Sequence, residues 1–166
     1  MPTLSTWKDP IPAVSWSLPI GKYHPAGFGH SKSHNVHTGI DLYVPEGSSV
    51  HSVEDGTVAD IFQFSGPNTL YTYLLPTQAV VVNGPTGLVL YGEVEVLKDI
   101  QIGQLIGAGT KIANIKCAVP DQPMLHLELH KHGSKIPCLW KQGQPQPKSL
   151  LDPTSYLLSL KTYTRR

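Results

Sequence analysis

The run His37-Thr38-Gly39-Ile40-Asp41 sets an imidazole and a carboxylate four residues apart, and Leu125-His126-Leu127-Glu128 supplies a second pair far along the chain. Imidazole nitrogen and carboxylate oxygen are ligands that a zinc ion accepts. Three such protein ligands leave a fourth position for water, the layout of a catalytic rather than a structural site. Along a straight strand the Cα atoms of His37 and Asp41 would lie roughly 13 Å apart, at about 3.3 Å per residue, too far to share one ion. Gly39 between them reaches backbone conformations closed to other residues, so the chain can bend and the two side chains can converge. Plainer roles are open to both: a turn histidine for His37, and a cap or salt-bridge partner for Asp41.

Met124-Leu125-His126-Leu127-Glu128-Leu129-His130 alternates without a break. As a strand it sends Leu125, Leu127 and Leu129 to one face and Met124, His126, Glu128 and His130 to the other. The leucines are expected in the core, with His126 and Glu128 facing a groove. Taken alone, the polar row would equally suit a solvated strand face. Glu128 lies two residues from His126 on the same face, which suits a group that orients a metal ligand better than a ligand itself.

In chain order these runs combine with Asp55-Gly56 and Asp152-Pro153. The stretch Leu42-Tyr43-Val44-Pro45-Glu46-Gly47-Ser48-Ser49-Val50 leads into Asp55-Gly56-Thr57-Val58. Over residues about 16 to 160 the pattern resembles the M23 (lysostaphin-like) zinc metallopeptidases. The resemblance implies an antiparallel-sheet, barrel-sandwich-like fold, zinc held by His37, Asp41 and His126, and cleavage of the peptide parts of bacterial peptidoglycan.

It also exposes two departures. The family's catalytic histidines stand in a Tyr-Gly-His run and as the first His of a His-Leu-His run. Here those positions are Glu93, in Tyr91-Gly92-Glu93, and Met124, in Met124-Leu125-His126. Glu93 can serve as general base on the attacking water if its carboxylate reaches hydrogen-bond distance. Met124 cannot substitute for its histidine, because a thioether donates no hydrogen bond to a developing oxyanion. The loss of one such donor costs about 2.7 to 4 kcal/mol, unless Tyr91, His34, His30 or His130 takes over. Two functions follow: a zinc endopeptidase of peptidoglycan, or a non-catalytic zinc-binding module that serves structure or docking in a phage tail or baseplate.

Length and composition agree with the scaffold such a site needs. The 166 residues suit one domain with its own core. Charged residues are 15%, below the usual quarter or so, while 15 Gly and 15 Pro supply frequent turns, a balance expected of a mostly β chain. Net charge is +1 and the only basic pair of note is Arg165-Arg166, so neither nucleic acid nor an anionic membrane is an expected partner. The first ten residues lack the basic start and apolar stretch of a secretory signal. The chain is therefore expected to be cytoplasmic at synthesis, then virion-associated or released by lysis. Cys117 and Cys138 stand in no Cys-x-x-Cys spacing and are expected as reduced thiols.

Residues 1–36 read as an extended arm anchored by Trp7 and Trp16, and residues 37–166 as the peptidase-like domain. Strands are expected over 40–44, 49–53 and 57–64, the last two separated by the Asp55-Gly56 turn. Further strands are expected at 79–82 and 88–91, flanking the hairpin connection Asn83-Gly84-Pro85-Thr86-Gly87, and at 111–115 and 124–130. Asp152 as N-cap and Pro153 in the first turn predict a helix over 154–160.

Overall fold

The computed structural model describes residues 7–164; Arg165-Arg166 and the start of the expected arm, residues 1–6, lie outside the described residues. Nine strands and one helix follow in chain order: β1 (Ile40–Tyr43), β2 (Ser49–His51), β3 (Gly56–Ser65), β4 (Thr77–Gly84), β5 (Gly87–Val96), β6 (Leu105–Ile106), β7 (Lys111–Ile115), β8 (Met124–His130), β9 (Leu150–Leu151) and α1 (Thr154–Thr164). Every strand pairing is antiparallel. The sheet runs β1-β8-β5-β4-β3-β6, with β7 joining β2 to β5 and β9 lying on β8. The chain is mostly β, one antiparallel-sheet domain with a short C-terminal helix, as its composition led us to expect.

Strands β4 and β5 lie in the middle of the sheet and are covered on both faces. Val80, Val82, Val89 and Tyr91 enter the main core, while Ala79, Val81, Leu88 and Leu90 enter a smaller cluster with Phe64. This explains why their sequences are continuous apolar runs and not alternating ones. The smaller cluster lies on the same face of the sheet as the polar residues of β8, since Leu88 pairs with His130 and Leu90 with Glu128.

Two features depart from the sequence expectations. Strand β5 does not stop at Tyr91 but continues through Glu93 to Val96. Gly92 pairs with Ala79 and His126, and Val94 pairs with Gln78 and Ile115, so Glu93 is the extra residue of a β-bulge. There β5 exchanges one neighbour, β8, for another, β7, and Glu93 takes a left-handed φ of 62°. The Asp55-Gly56 turn, in turn, does not fold β2 back on β3: β2 pairs with β7, and β3 with β4 and β6. The Asp55 carboxylate accepts from the Ala108 backbone N–H at 2.7 Å, tying this turn to the one after β6 instead. Strands β6 and β9, of two residues each, are too short to leave a periodic signal.

The segment before β1 packs on the domain through its tryptophans, both buried. Trp7 stacks on Tyr156 of α1 with ring centroids 4.7 Å apart, and Trp16 Nε1 donates to Asp9 Oδ1 at 2.9 Å. Asp152 caps α1 by accepting from the Thr154 N–H at 2.9 Å, and the helix runs past the expected 160 to Thr164. Both cysteines are free.

Leu125, Leu127 and Leu129 are each 0% exposed, so the pleat places the leucine face of β8 in the core. Gly39 has a role other than the expected bend. Its φ is not in the left-handed region, but a Cβ there would lie 2.3 Å from the Leu127 carbonyl oxygen and 2.9 Å from Glu128 Cγ. The chain passes so close over β8 that only a hydrogen fits. Gly39→Ala should therefore cost about 1 to 3 kcal/mol, the range for overpacking, read as a lowered urea midpoint. An unchanged midpoint would mean that β1 approaches β8 less closely than this.

Candidate metal centre and catalytic cleft

The site is assembled from β1, β8, the bulge of β5 and the loop that precedes β1. Asp41 pairs directly with His126 in the β1–β8 register, so their side chains stand side by side on one face. His37 lies just before β1. Its backbone N–H donates to the His30 carbonyl at 2.8 Å and its carbonyl accepts from Gly29 at 3.0 Å, while the Asp41 N–H donates to Ala26 at 3.0 Å. Residues 26–30 thus run alongside 37–41 and hold the imidazole over the strand pair.

Three ligand atoms converge. His37 Nε2 lies 3.1 Å from Asp41 Oδ1, His126 Nδ1 lies 2.8 Å from the same oxygen, and the two nitrogens are 3.3 Å apart. The tautomers follow from the far side of each ring. His37 Nδ1 is 2.9 Å from the Gly27 carbonyl, which can only accept, so Nδ1 carries a hydrogen and Nε2 is the nitrogen left to face Asp41 or a metal. His126 Nε2 is 2.6 Å from Glu128 Oε2 and donates to it, so Nδ1 is the nitrogen that faces Asp41: it donates there while the ring holds a second proton, and it would offer its lone pair to a metal that displaced that proton. A tetrahedral zinc with ligand bonds of about 2.0 to 2.2 Å separates its ligands by about 3.3 to 3.6 Å. The histidine pair matches, and Asp41 is closer by hydrogen-bond contraction. The donor set fits zinc.

The electrostatics point the same way. Burial alone would raise the Asp41 carboxyl, but its hydrogen bonds with His126 and His37 win and hold it well below the usual carboxylate range. Burial alone would lower His126, but hydrogen bonds to Asp41 and Glu128 overcome it and push it up to about 10. Burial would likewise raise Glu128, yet the bonds from His126 and His130 keep it ionised, at about 2. A centre that grips a proton this firmly offers concentrated negative potential to a cation.

His37, Asp41, Glu93, Met124 and His126 all line one cleft of about 380 Å³, walled by Tyr43, Tyr71 and Tyr73. Glu93 differs from its neighbours. It is 7% exposed and its Oε2 has no hydrogen-bond partner among the described residues. Burial pushes its pKa up to about 7, with the His126 charge opposing and the Asp41 charge assisting. The carboxylate of Glu128, expected to face the groove beside His126, is instead sealed behind it at 2% exposure. There it accepts from His126, His130 and the Thr38 hydroxyl, the last at 2.7 Å.

Of the four residues considered as substitutes for the missing donor at Met124, only His34 lines the cleft. The Tyr91 hydroxyl accepts from the Val53 N–H at 2.9 Å in the core, His130 is enclosed, and His30 Nδ1 is bound to the Lys22 carbonyl. Sequence reasoning did not anticipate Thr38 on Glu128, or Phe64, whose ring centroid lies 5.3 Å from that of His126. Neither has a local signal, since each acts across the sheet.

The fold is shared with solved structures. The catalytic domain of the antimicrobial peptidase lysostaphin from Staphylococcus simulans superposes with a TM-score of 0.57 at 14% identity, over 86% of this chain and 92% of that one. CbpA of L. salivarius REN gives 0.62 at 20% identity, over 96% and 99%. A mutant catalytic domain of the prophage-encoded M23 protein EnpA from Enterococcus faecalis gives 0.53 at 19%, over 85% and 91%. At such identities the likeness is one of fold. No curated protein matches the chain. The sequence model described as Peptidase family M23, however, matches residues 35–138, a stretch that begins before His37 and ends after His126 and covers more than half of the protein. On that match, carried by the segment that builds the converging ligand atoms, the chain belongs to peptidase family M23.

Proposed function

We propose that this protein is a zinc-dependent endopeptidase that cleaves peptide bonds in bacterial peptidoglycan, with His37, Asp41 and His126 as the metal ligands and Glu93 as the general base. The observation that carries the reading is the buried Oε2 of Glu93, which has no hydrogen-bond partner among the described residues and lies in the cleft of the ligand triad. Such a group is costly to leave without a partner unless a substrate or water completes it. Zinc held there would polarise the scissile carbonyl and acidify the attacking water. Glu93 accepts the proton of that water and returns it to the leaving amine. A pKa near neutrality suits both halves of the task. Glu128 holds His126 in the tautomer that presents Nδ1, and the tyrosine walls confine an extended peptide between them.

A second reading rests on Met124. It is buried on the cleft wall, and its sulfur offers no hydrogen to an oxyanion. On that reading the zinc centre serves stability or peptide docking, in a phage tail or baseplate, without turnover. We favour the enzyme because Glu93 Oε2 is buried in the cleft with no hydrogen-bond partner among the described residues to explain it.

Zinc should bind at near-unit stoichiometry. Alanine at His37, Asp41 or His126 should each weaken binding sharply in a chelator competition. Protein that takes up no zinc on addition would sink the metal assignment.

Glu93→Gln should lower peptidoglycan peptide release by at least about 10²-fold, with zinc content unchanged. Activity of the parent should rise with pH through a limb at or below about 7, since the base works deprotonated and a bound cation lowers its pKa further. In metal-free protein the folded pKa lies above the model value of 4.5, so the Glu93 contribution to stability is present below about 4.5 and is lost as pH rises through about 7. The urea stability of the parent should fall across that window relative to Glu93→Gln, by on the order of 3 kcal/mol. Parallel profiles would place the carboxylate in water.

Met124→His should raise peptide release by on the order of 10² if the imidazole restores one oxyanion donor. Should neither the parent nor Met124→His release any peptide while zinc is bound, the non-catalytic reading replaces the enzyme.

A further inference from the structure

We propose that His130 is a positioning residue for the metal centre: it holds the Glu128 carboxylate in place from behind, and through it fixes the direction of the His126 Nδ1 lone pair. The inference rests on the metal-binding reading of His37, Asp41 and His126.

His130 is 0% exposed. It pairs with Leu88 of β5 on one side and Leu150 of β9 on the other. It does not line the cleft, so it cannot meet a substrate. Burying an imidazole against a carboxylate forfeits the hydration of both. The imidazole therefore needs a reason, and its hydrogen bond to Glu128 supplies it.

His130 Nε2 lies 2.7 Å from Glu128 Oε1. The carboxylate only accepts, so Nε2 carries the hydrogen. Nδ1 has no hydrogen-bond partner among the described residues, and a bare lone pair is cheaper to leave unpaired in the interior than an N–H. The geometry thus selects the neutral ring with hydrogen on Nε2.

The two oxygens of Glu128 are divided between donors. Oε2 accepts from His126 at 2.6 Å and from the Thr38 hydroxyl at 2.7 Å. Oε1 is bound by His130. Without His130, Oε1 would be a bare anionic oxygen in the interior, and the carboxylate would turn to share its remaining donors. The His126 ring would then lose the fixed acceptor that keeps its Nδ1 aimed at Asp41 Oδ1, 2.8 Å away. Outer partners of this kind typically contribute roughly 10- to 100-fold in metal affinity.

The test uses the full chain. Zinc affinity is measured by chelator competition for the parent, His130→Gln and His130→Leu, with thermal melts of the metal-free proteins alongside. The Gln amide nitrogen can donate where Nε2 does, whereas Leu fills the space without donating. His130→Leu should bind zinc roughly 10- to 100-fold more weakly, with a lowered metal-free melting temperature because Glu128 Oε1 loses its donor, while His130→Gln should stay within a few-fold of the parent in affinity and close to it in melting temperature. Equal affinity in all three, or an equal loss in Gln and Leu, overturns the proposal. If the Leu variant does not fold, ¹⁵N NMR of the parent decides: hydrogen on Nε2 and a bare Nδ1 support the proposal, and the opposite tautomer overturns it. A parent that binds no zinc defeats the metal reading and this inference together. A parent that binds zinc as tightly as His130→Leu defeats this inference alone.

Discussion

The register of β1 on β8 is the constraint on which the site depends. Asp41 stands opposite His126 because Ile40 stands opposite Leu127 and Leu42 opposite Leu125. A slip of β1 by one residue would turn Ile40 and Leu42 out of the core and Asp41 into it. Each fully buried aliphatic side chain contributes about 1.5 to 3 kcal/mol, so the apolar face of this ladder outweighs anything the polar face could add. The core sets the register, and the candidate ligands meet as a consequence. Gly39 belongs to the same contact: it lets the chain carrying His37 pass over Leu127 and Glu128 without a side chain in the way.

The polar face of β8 would be expensive if its groups were unmatched, since a buried charge without a partner costs several kcal/mol. Nearly all are matched. Asp41 receives His37 and His126; Glu128 receives His126, His130 and Thr38. Because these bonds run in series, the position of each ring depends on the next acceptor, and rigidity passes from the core to the ligand atoms. A ligand set held in this way needs little reorganisation to accept a cation.

Glu93 is the exception, and it is exceptional twice. Its left-handed φ costs about 1 to 3 kcal/mol for a residue other than glycine, and its carboxylate is buried with one oxygen unbound. The bulge supplies the reason for the first, because the extra residue is what lets β5 leave β8 and take up β7 while its side chain turns into the cleft. Strain and an unmatched group at one residue, beside a set of converging ligand atoms, mark a place where packing has yielded to chemistry. Met124, the second departure from the family pattern, lines the same cleft and carries no such signs.

The sequence by itself determined the strand content, the leucine face of β8, the hairpin between β4 and β5, the capped C-terminal helix and the identity of the three candidate ligands. The elements are readable because they depend on local periodicity and turn chemistry, which act within a few positions along the chain, and the candidate ligands because the runs that carry them resemble the M23 pattern. The tertiary structure alone decided that β2 joins β7 and not β3, that β5 runs on through Glu93, that Glu128 lies sealed behind His126 with Thr38 and His130 upon it, and that Gly39 is required by a close approach and not by a bend. Each of these depends on which strands become neighbours. That choice is made by burying apolar surface from segments far apart in the chain, and no local pattern records it.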